Sequence, residues 1–489
     1  MLSVPSHYLP GPWSIETTHM LPAHLRVGPT GNSCPGWIRV IQPDGNPSTP
    51  QGRSAAGGSG TLIISGHTWH AIDGTCELFL PQGVNTLLFS RLPGWHVESF
   101  NILVASGQLA ARVVPIPRSP KPSGYLEIDL GCHGISPGVA WFEGRASGLD
   151  GVQLVAKLDP PGNQPSMLEF SGSETAIDRL GCHVQINTFN TGGILGNLLL
   201  LDCHRPVFPL SLTANNDFPT WSLSDWWSQC HRKRGLVFWA DCERNHPAGQ
   251  GEALAGVILG KIDGFECLDL DSSRAGGLEL WNDLLACGLA PALVGSSGAR
   301  SKSSFPGRVR TLVASQSSPW VTAVANGHAT LTSGPSLIST LSDMAPGHTI
   351  NADIPVILNA TWDLPTWPGQ GNSLVLELFG GQGVFWRFEA APNQTELTAE
   401  ILIPDDSGPQ IALRASLSDG SIVAQTSGFR LADRNVKVSS STLDAAQRLF
   451  QRLEHTRSAI VTDPQHSSRS GEVICLLDKA STKLKAVVT

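Results

Sequence analysis

The feature that most constrains this chain is the shortness of its apolar runs. Trp37 to Ile41 stops at Pro43-Asp44-Gly45, Thr61 to Ile64 stops at Ser65-Gly66, and Cys76 to Leu80 stops at Pro81-Gln82-Gly83. Four to six such residues fill one strand but less than two turns of helix, and the Gly and Pro at their ends supply the turns. The same punctuation continues throughout. With 51 Gly and 35 Pro, 86 of the 489 residues are turn formers, about 18% against an average near 12%. A β-rich, loop-rich protein is expected, and its length suits about three domains at roughly 100 to 200 residues each.

The runs divide the chain into parts. Residues 1–122 read as an N-terminal β-sandwich, with a Gly/Ser-rich loop over 51–60 and a stiff linker at Pro115, Pro117, Pro120 and Pro122. Over 123–345 apolar strands alternate with helical stretches. Strands are predicted at Leu126 to Leu130, Gly151 to Val155, Val184 to Asn187 and Leu236 to Trp239. Helices are predicted near Val139 to Ala146, Ser224 to Arg234 and Gly277 to Cys287. That alternation implies parallel β-α units with chemistry at the carboxyl ends of the strands. Residues 346–438 return to strands and read as a C-terminal β-sandwich. Residues 439–489 form a C-terminal helix, capped by Thr442 and running to about Val461, then a tail with a last strand at Val473 to Leu477.

Charge narrows the partners. There are 33 Lys and Arg against 41 Asp and Glu, a net charge of −8, and His231 to Arg234 is the only basic cluster, so nucleic acid is not an expected partner. No run of 18 apolar residues predicts a membrane span. The first 25 residues lack a basic start followed by an apolar stretch, and the ten Cys form no C-x-x-C pair. A cytoplasmic protein with reduced thiols is the expectation, with export left open.

Polar residues collect at predicted strand ends: Asp129 to His133, Glu174, Gly181-Cys182-His183, Ala240 to Pro247, and Asp263 with Glu266. Imidazoles and carboxylates gathered from several strand ends are what a divalent metal needs to activate water. Taken singly, each of these histidines reads as a hydrogen-bonded structural group, because ligands are recognised as sets.

Several phrases in order along the chain resemble the CehA/McbA (carbaryl-hydrolase-like) metallohydrolases of the PHP superfamily. They are Phe79 to Gly83 followed by Ser90-Arg91, Gly181 to Ile186, Gly260 to Glu266, Leu284 to Leu289 and Thr330 to Pro335. The resemblance implies a multidomain α/β plus all-β chain, with a central PHP-like distorted α/β barrel between two β-sandwiches. It also implies a metal site on His133, Glu174 and His183, with Asp241 near an expected histidine and His246 as its substitute. The sequence departs from that pattern: Gly131 stands where His-x-His needs its first histidine, and Gly295 to Ala299 lacks the aspartate and histidine of the family's Ser-Asp-x-His loop. Side chains of Gly, Ser and Ala do not supply the missing ligands. The expectation is therefore a catalytically impaired homologue, holding either no cofactor or one weakly bound divalent metal (Zn, Mn or Fe), and serving a binding or structural role for a small molecule or protein. A mononuclear metal-dependent hydrolase of an ester, amide or phosphoester is the alternative. A third reading, carbohydrate binding, rests on the 14 Trp, with Trp362, Trp367 and Trp386 as the residues to check for exposure.

Overall fold

The computed structural model describes residues 20–28, 33–54, 58–105, 110–114, 123–158, 164–212, 221–242, 249–270, 277–315, 319–367, 373–432, 438–462 and 469–488. Strict alternation builds the first part. In Met20–Val27 the residues Ala23, Leu25 and Val27 face inward and their neighbours outward. This strand pairs antiparallel with Thr75–Pro81 and parallel with Ala110–Val114. A second sheet runs Thr61–Ile64, His67–Ile72, Gly36–Ile41, Gly83–Ser90 and Glu98–Val104. Ile38, Val40, Leu87 and Phe89 of that sheet close one core against Leu25, Leu78 and Leu80.

Continuous burial replaces alternation in the middle of the chain. Gly151–Ala156 and Leu236–Ala240 are buried at every position, as strands covered on both faces must be. Tyr125–His133, Gly151–Ala156 and Cys182–Thr191 pair in parallel. Asn197–Leu201 then runs back antiparallel, and Leu236–Ala240, Gly264–Cys267 and Ala292–Gly295 follow in the original direction. The sheet curls, so that Gly298–Ala299 and Arg310–Ala314 both pair with Tyr125–His133. Leu130, Val155, Phe189, Leu199, Phe238 and Val294 fill its concave side.

The expected PHP-like α/β barrel between two separate sandwiches does not form. The chain is mostly β, and among the described residues the helices number seven: α1 (Pro137–Ala146), α2 (Leu223–Arg232), α3 (Gly251–Ile258), α4 (Gly277–Ala286), α5 (Trp320–Ala325), α6 (Ser440–Thr462) and α7 (Ser470–Val488). Two things break the βα alternation. Only five residues join Cys182–Thr191 to Asn197–Leu201, which is room for a hairpin but not for a crossover helix. In addition, the curled sheet does not end where the helical stretches do. From Arg310–Ala314 it continues through Ala329–Thr332, Ile422–Thr426, Gln410–Leu417 and Leu374–Gly380 to Gly383–Glu389, so that 17 strands among the described residues belong to one hydrogen-bonded sheet. A three-stranded sheet, Ile338–Leu341, Val356–Thr361 and Glu396–Ile401, faces its far end across Leu358, Leu376 and Leu413, so the architecture is β-rich and sandwich-like there.

Two local expectations also change. Val473 to Leu477 is part of α7 and not a strand, because Val473, Leu477, Ala480 and Leu484 recur at helical spacing and are buried together against α3 and α6. Thr442 lies inside the first turn of α6, and Ser439 caps the helix, its Oγ accepting the Thr442 N–H at 3.0 Å. No helix among the described residues is long and apolar enough to cross a membrane.

Candidate functional site

The parallel strands of the curled sheet end on one side, and ligands of such sheets bind outside those carboxyl ends. His133 closes Tyr125–His133, Lys157 follows Gly151–Ala156, Asp241 follows Leu236–Ala240, Glu266 lies within Gly264–Cys267, and Ser296 follows Ala292–Gly295. The last turn of each strand therefore brings five polar side chains to one mouth.

A glycine makes their approach possible. A Cβ on Gly131 would lie 2.6 Å from Ser296 Oγ and 2.7 Å from Glu266 Oε1, so the space for a histidine at this position is taken by a hydroxyl and a carboxyl. Glu266 is buried, and its Oε2 accepts the Asp241 N–H at 3.2 Å. Burial pushes its carboxyl up to about 7. Asp241 is exposed and holds a left-handed conformation with φ 52°. Burial, followed by the Lys157 ammonium, brings His133 down to about 4, leaving its imidazole neutral at pH 7. Lys157 itself reaches back over the Phe189 ring, with Nζ 3.9 Å from the centroid.

Below the mouth, carboxylates are committed to holding the backbone together. Asp129, with no exposed surface, accepts the N–H groups of Gly131 (3.3 Å), Ser297 (3.1 Å) and Gly307 (2.9 Å), while burial raises it to about 6. Glu143 accepts the Gly60 N–H at 2.7 Å and Arg300 Nε at 2.7 Å. Glu127 accepts Arg310 Nη1 at 2.6 Å. Each of these acids ties together segments far apart in the sequence.

The residues expected to bind a metal do not converge. His183 pairs across the sheet with Gly151, and Gly151 with Ile128. His183 thus lies at the amino end of its strand while His133 lies at the carboxyl end of its own, a separation of roughly 15 Å at ~3.3 Å per residue. His183 Nδ1 instead meets Asp178 Oδ1 at 3.0 Å, both side chains more than half exposed. Glu174 is exposed in the turn before Ile177–Arg179. His133 and Asp241 do share the mouth, and His246 lies outside the described residues. Among the described residues no group of three or more His, Cys, Asp or Glu could hold a metal ion. Sequence reasoning overlooked Lys157. The only sign of it was its place directly after an unbroken apolar strand. Of the aromatic residues named for sugar stacking, Trp362 is buried, and Trp367 and Trp386 are half-buried, Trp367 packing on Trp69 at 5.3 Å.

No protein-family model and no curated protein matches the chain. Among solved structures, the crystal structure of a DUF3823 family protein from Bacteroides ovatus is 7% identical, covering 85% of this chain and 99% of that chain, with a TM-score of 0.15. The resemblance to CehA/McbA metallohydrolases is therefore corrected. No family match supports it, and the ligand set it implied is dispersed between opposite ends of the sheet.

Proposed function

We propose that this chain works by binding or as a structural scaffold, and that its strand-end cluster is not a hydrolytic metal centre. One observation carries the reading. The buried carboxylates that could have faced a metal are already hydrogen-bonded to backbone or arginine: Asp129 to three N–H groups, Glu266 to Asp241, and Glu143 to Arg300. Asp129 and Glu143 each accept three donors and have few lone pairs left for a cation, while burial raises Glu266 to about 7 and makes it a weaker ligand than an ordinary carboxylate. His133, neutral and half-buried, and the exposed Asp241 are the remaining donors at the mouth, and two side chains fall short of the three protein ligands a catalytic metal needs.

Metal analysis of protein purified without chelator tests this. The expected content is far below one zinc, manganese or iron per chain. Hydrolysis of phosphoester and aryl-ester substrates with added manganese or zinc should match that of His133→Ala and Glu266→Gln variants. One equivalent of tightly held metal, or metal-dependent turnover abolished in His133→Ala, would overturn the proposal and favour a mononuclear hydrolase.

A further inference from the structure

Two sulfurs meet on the side of the curled sheet opposite the mouth. Cys203 lies in the loop after Asn197–Leu201, and Cys230 lies in the last turn of α2. Leu201 pairs with Leu236 at the start of Leu236–Ala240, so the pair sits near the amino end of that strand. The two Sγ atoms are 3.2 Å apart and share a hydrogen bond, closer than unbonded sulfurs ordinarily rest.

The surroundings are shaped for both. A Cβ on Gly235 would lie 2.3 Å from Cys203 Sγ and 2.8 Å from Cys230 Sγ, so this glycine leaves the room that the sulfurs occupy. The hydrogen bond from Cys230, with the Lys233 ammonium nearby, draws the Cys203 thiol below its ordinary range, while burial pushes Cys230 well above its own. One sulfur is therefore the readier thiolate and the other keeps its proton. Bringing them roughly 1.2 Å nearer gives a bond of about 2.05 Å.

We propose that Cys203 and Cys230 are a dithiol/disulfide couple, closed by hydrogen peroxide and reopened by small thiols, that clasps the loop after Asn197–Leu201 to α2. The Cys203 thiolate attacks one peroxide oxygen, the O–O bond breaks, and the departing hydroxide takes up the thiol proton as water. Cys230 sulfur then attacks the Cys203 sulfenic sulfur, the S–O bond breaks, and hydroxide leaves with the Cys230 proton as a second water. Two thiols are oxidised and one peroxide is reduced. Two external thiols reverse the closure and become a disulfide themselves. Both side chains are buried, which excludes bulky oxidants but not a molecule close to water in size. Loops and helix ends open locally at the least cost, and Cys203 and Cys230 each precede an exposed residue, His204 and His231.

Peptide mapping of the whole chain tests the couple, in a Cys475→Ser background that removes the exposed thiol. After peroxide treatment, denaturation and alkylation, the peptides carrying Cys203 and Cys230 should be joined and two hydrogens lighter than their sum. They should join at least about tenfold faster than any other thiol is lost, as a thiolate already beside its partner implies. Dithiothreitol should restore both thiols, and the closed form should unfold at a higher urea concentration than the open one. Cys203→Ala and Cys230→Ala, checked for folding by circular dichroism, should each lose the joined peptide and the urea shift. The couple is refuted if the two peptides stay separate while other cysteines oxidise, if either cysteine joins a different one, or if closure lowers the urea midpoint.

Discussion

At the scale of single residues, Gly131 does the most to set the character of the strand-end mouth. A methyl group there would meet Ser296 Oγ and Glu266 Oε1 well inside contact distance, so Gly131→Ala should cost about 1–3 kcal/mol, the usual penalty for overpacking. Urea denaturation would measure it, and Ser296→Ala in the same chain should recover part of the loss. The double variant should therefore differ from the sum of the singles by more than ~0.5 kcal/mol. Strict additivity would mean that the crowding is relieved elsewhere. The glycine was visible in the sequence as a departure from His-x-His. What replaced the missing ligand was not visible, because Glu266 and Ser296 reach Gly131 from strands 135 and 165 positions further along the chain.

Among the elements, α6 links the helical layer. Leu449 and Leu453 are fully buried against α3 and α4 partners, and Arg448 grips Asp283 of α4 with Nε and Nη2 at 3.0 and 2.6 Å. Leu449→Ala should cost about 2–5 kcal/mol as a cavity-forming change. Arg448→Ala, whose side chain is 43% exposed, should cost no more than ~1 kcal/mol. Comparing their denaturation midpoints checks the ordering. Elements with a clear period were legible: α6 begins three residues before its expected start, α4 lies within one residue of its expected ends, and Leu236–Ala240 is a strand as expected. Elements whose signal is ambiguous were not. Val473 to Leu477 is an apolar run short enough to suit a strand, and only its continuation to Ala480 and Leu484 reveals the helical stripe. The curled sheet was illegible for another reason. Pairing between Ala329–Thr332 and Ile422–Thr426 leaves no trace in either local pattern.

For the whole molecule, three buried carboxyls set a pH dependence. Burial raises Asp129 to about 6 and Glu252 and Glu266 to about 7. Each is therefore easier to protonate folded than unfolded. The stability from this is fully present below the ordinary carboxyl range and is lost as pH rises through 6 to 7. Buried His70 and half-buried His133, both brought down to about 4, act in the opposite sense, losing stability as pH falls from about 6.5 toward 4. Comparing variants separates the two. Glu266→Gln keeps an acceptor for the Asp241 N–H and should match the parent near pH 4.5, yet exceed its stability by about 2–3 kcal/mol at pH 8. Thermal unfolding across that range measures it, and parallel curves for parent and variant would refute the assignment.

The partnership of Tyr125–His133 with Gly298–Ala299 and Arg310–Ala314 also bears on biosynthesis. A nascent chain exposes that first strand long before its later neighbours have been translated. Until they arrive, one flank of an apolar ribbon stays open to strangers. Contacts of such long sequence separation form slowly, and partly made sheets of this kind invite aggregation. Cover for that open flank while the later strands are being made therefore bears on how much of the chain reaches its folded state.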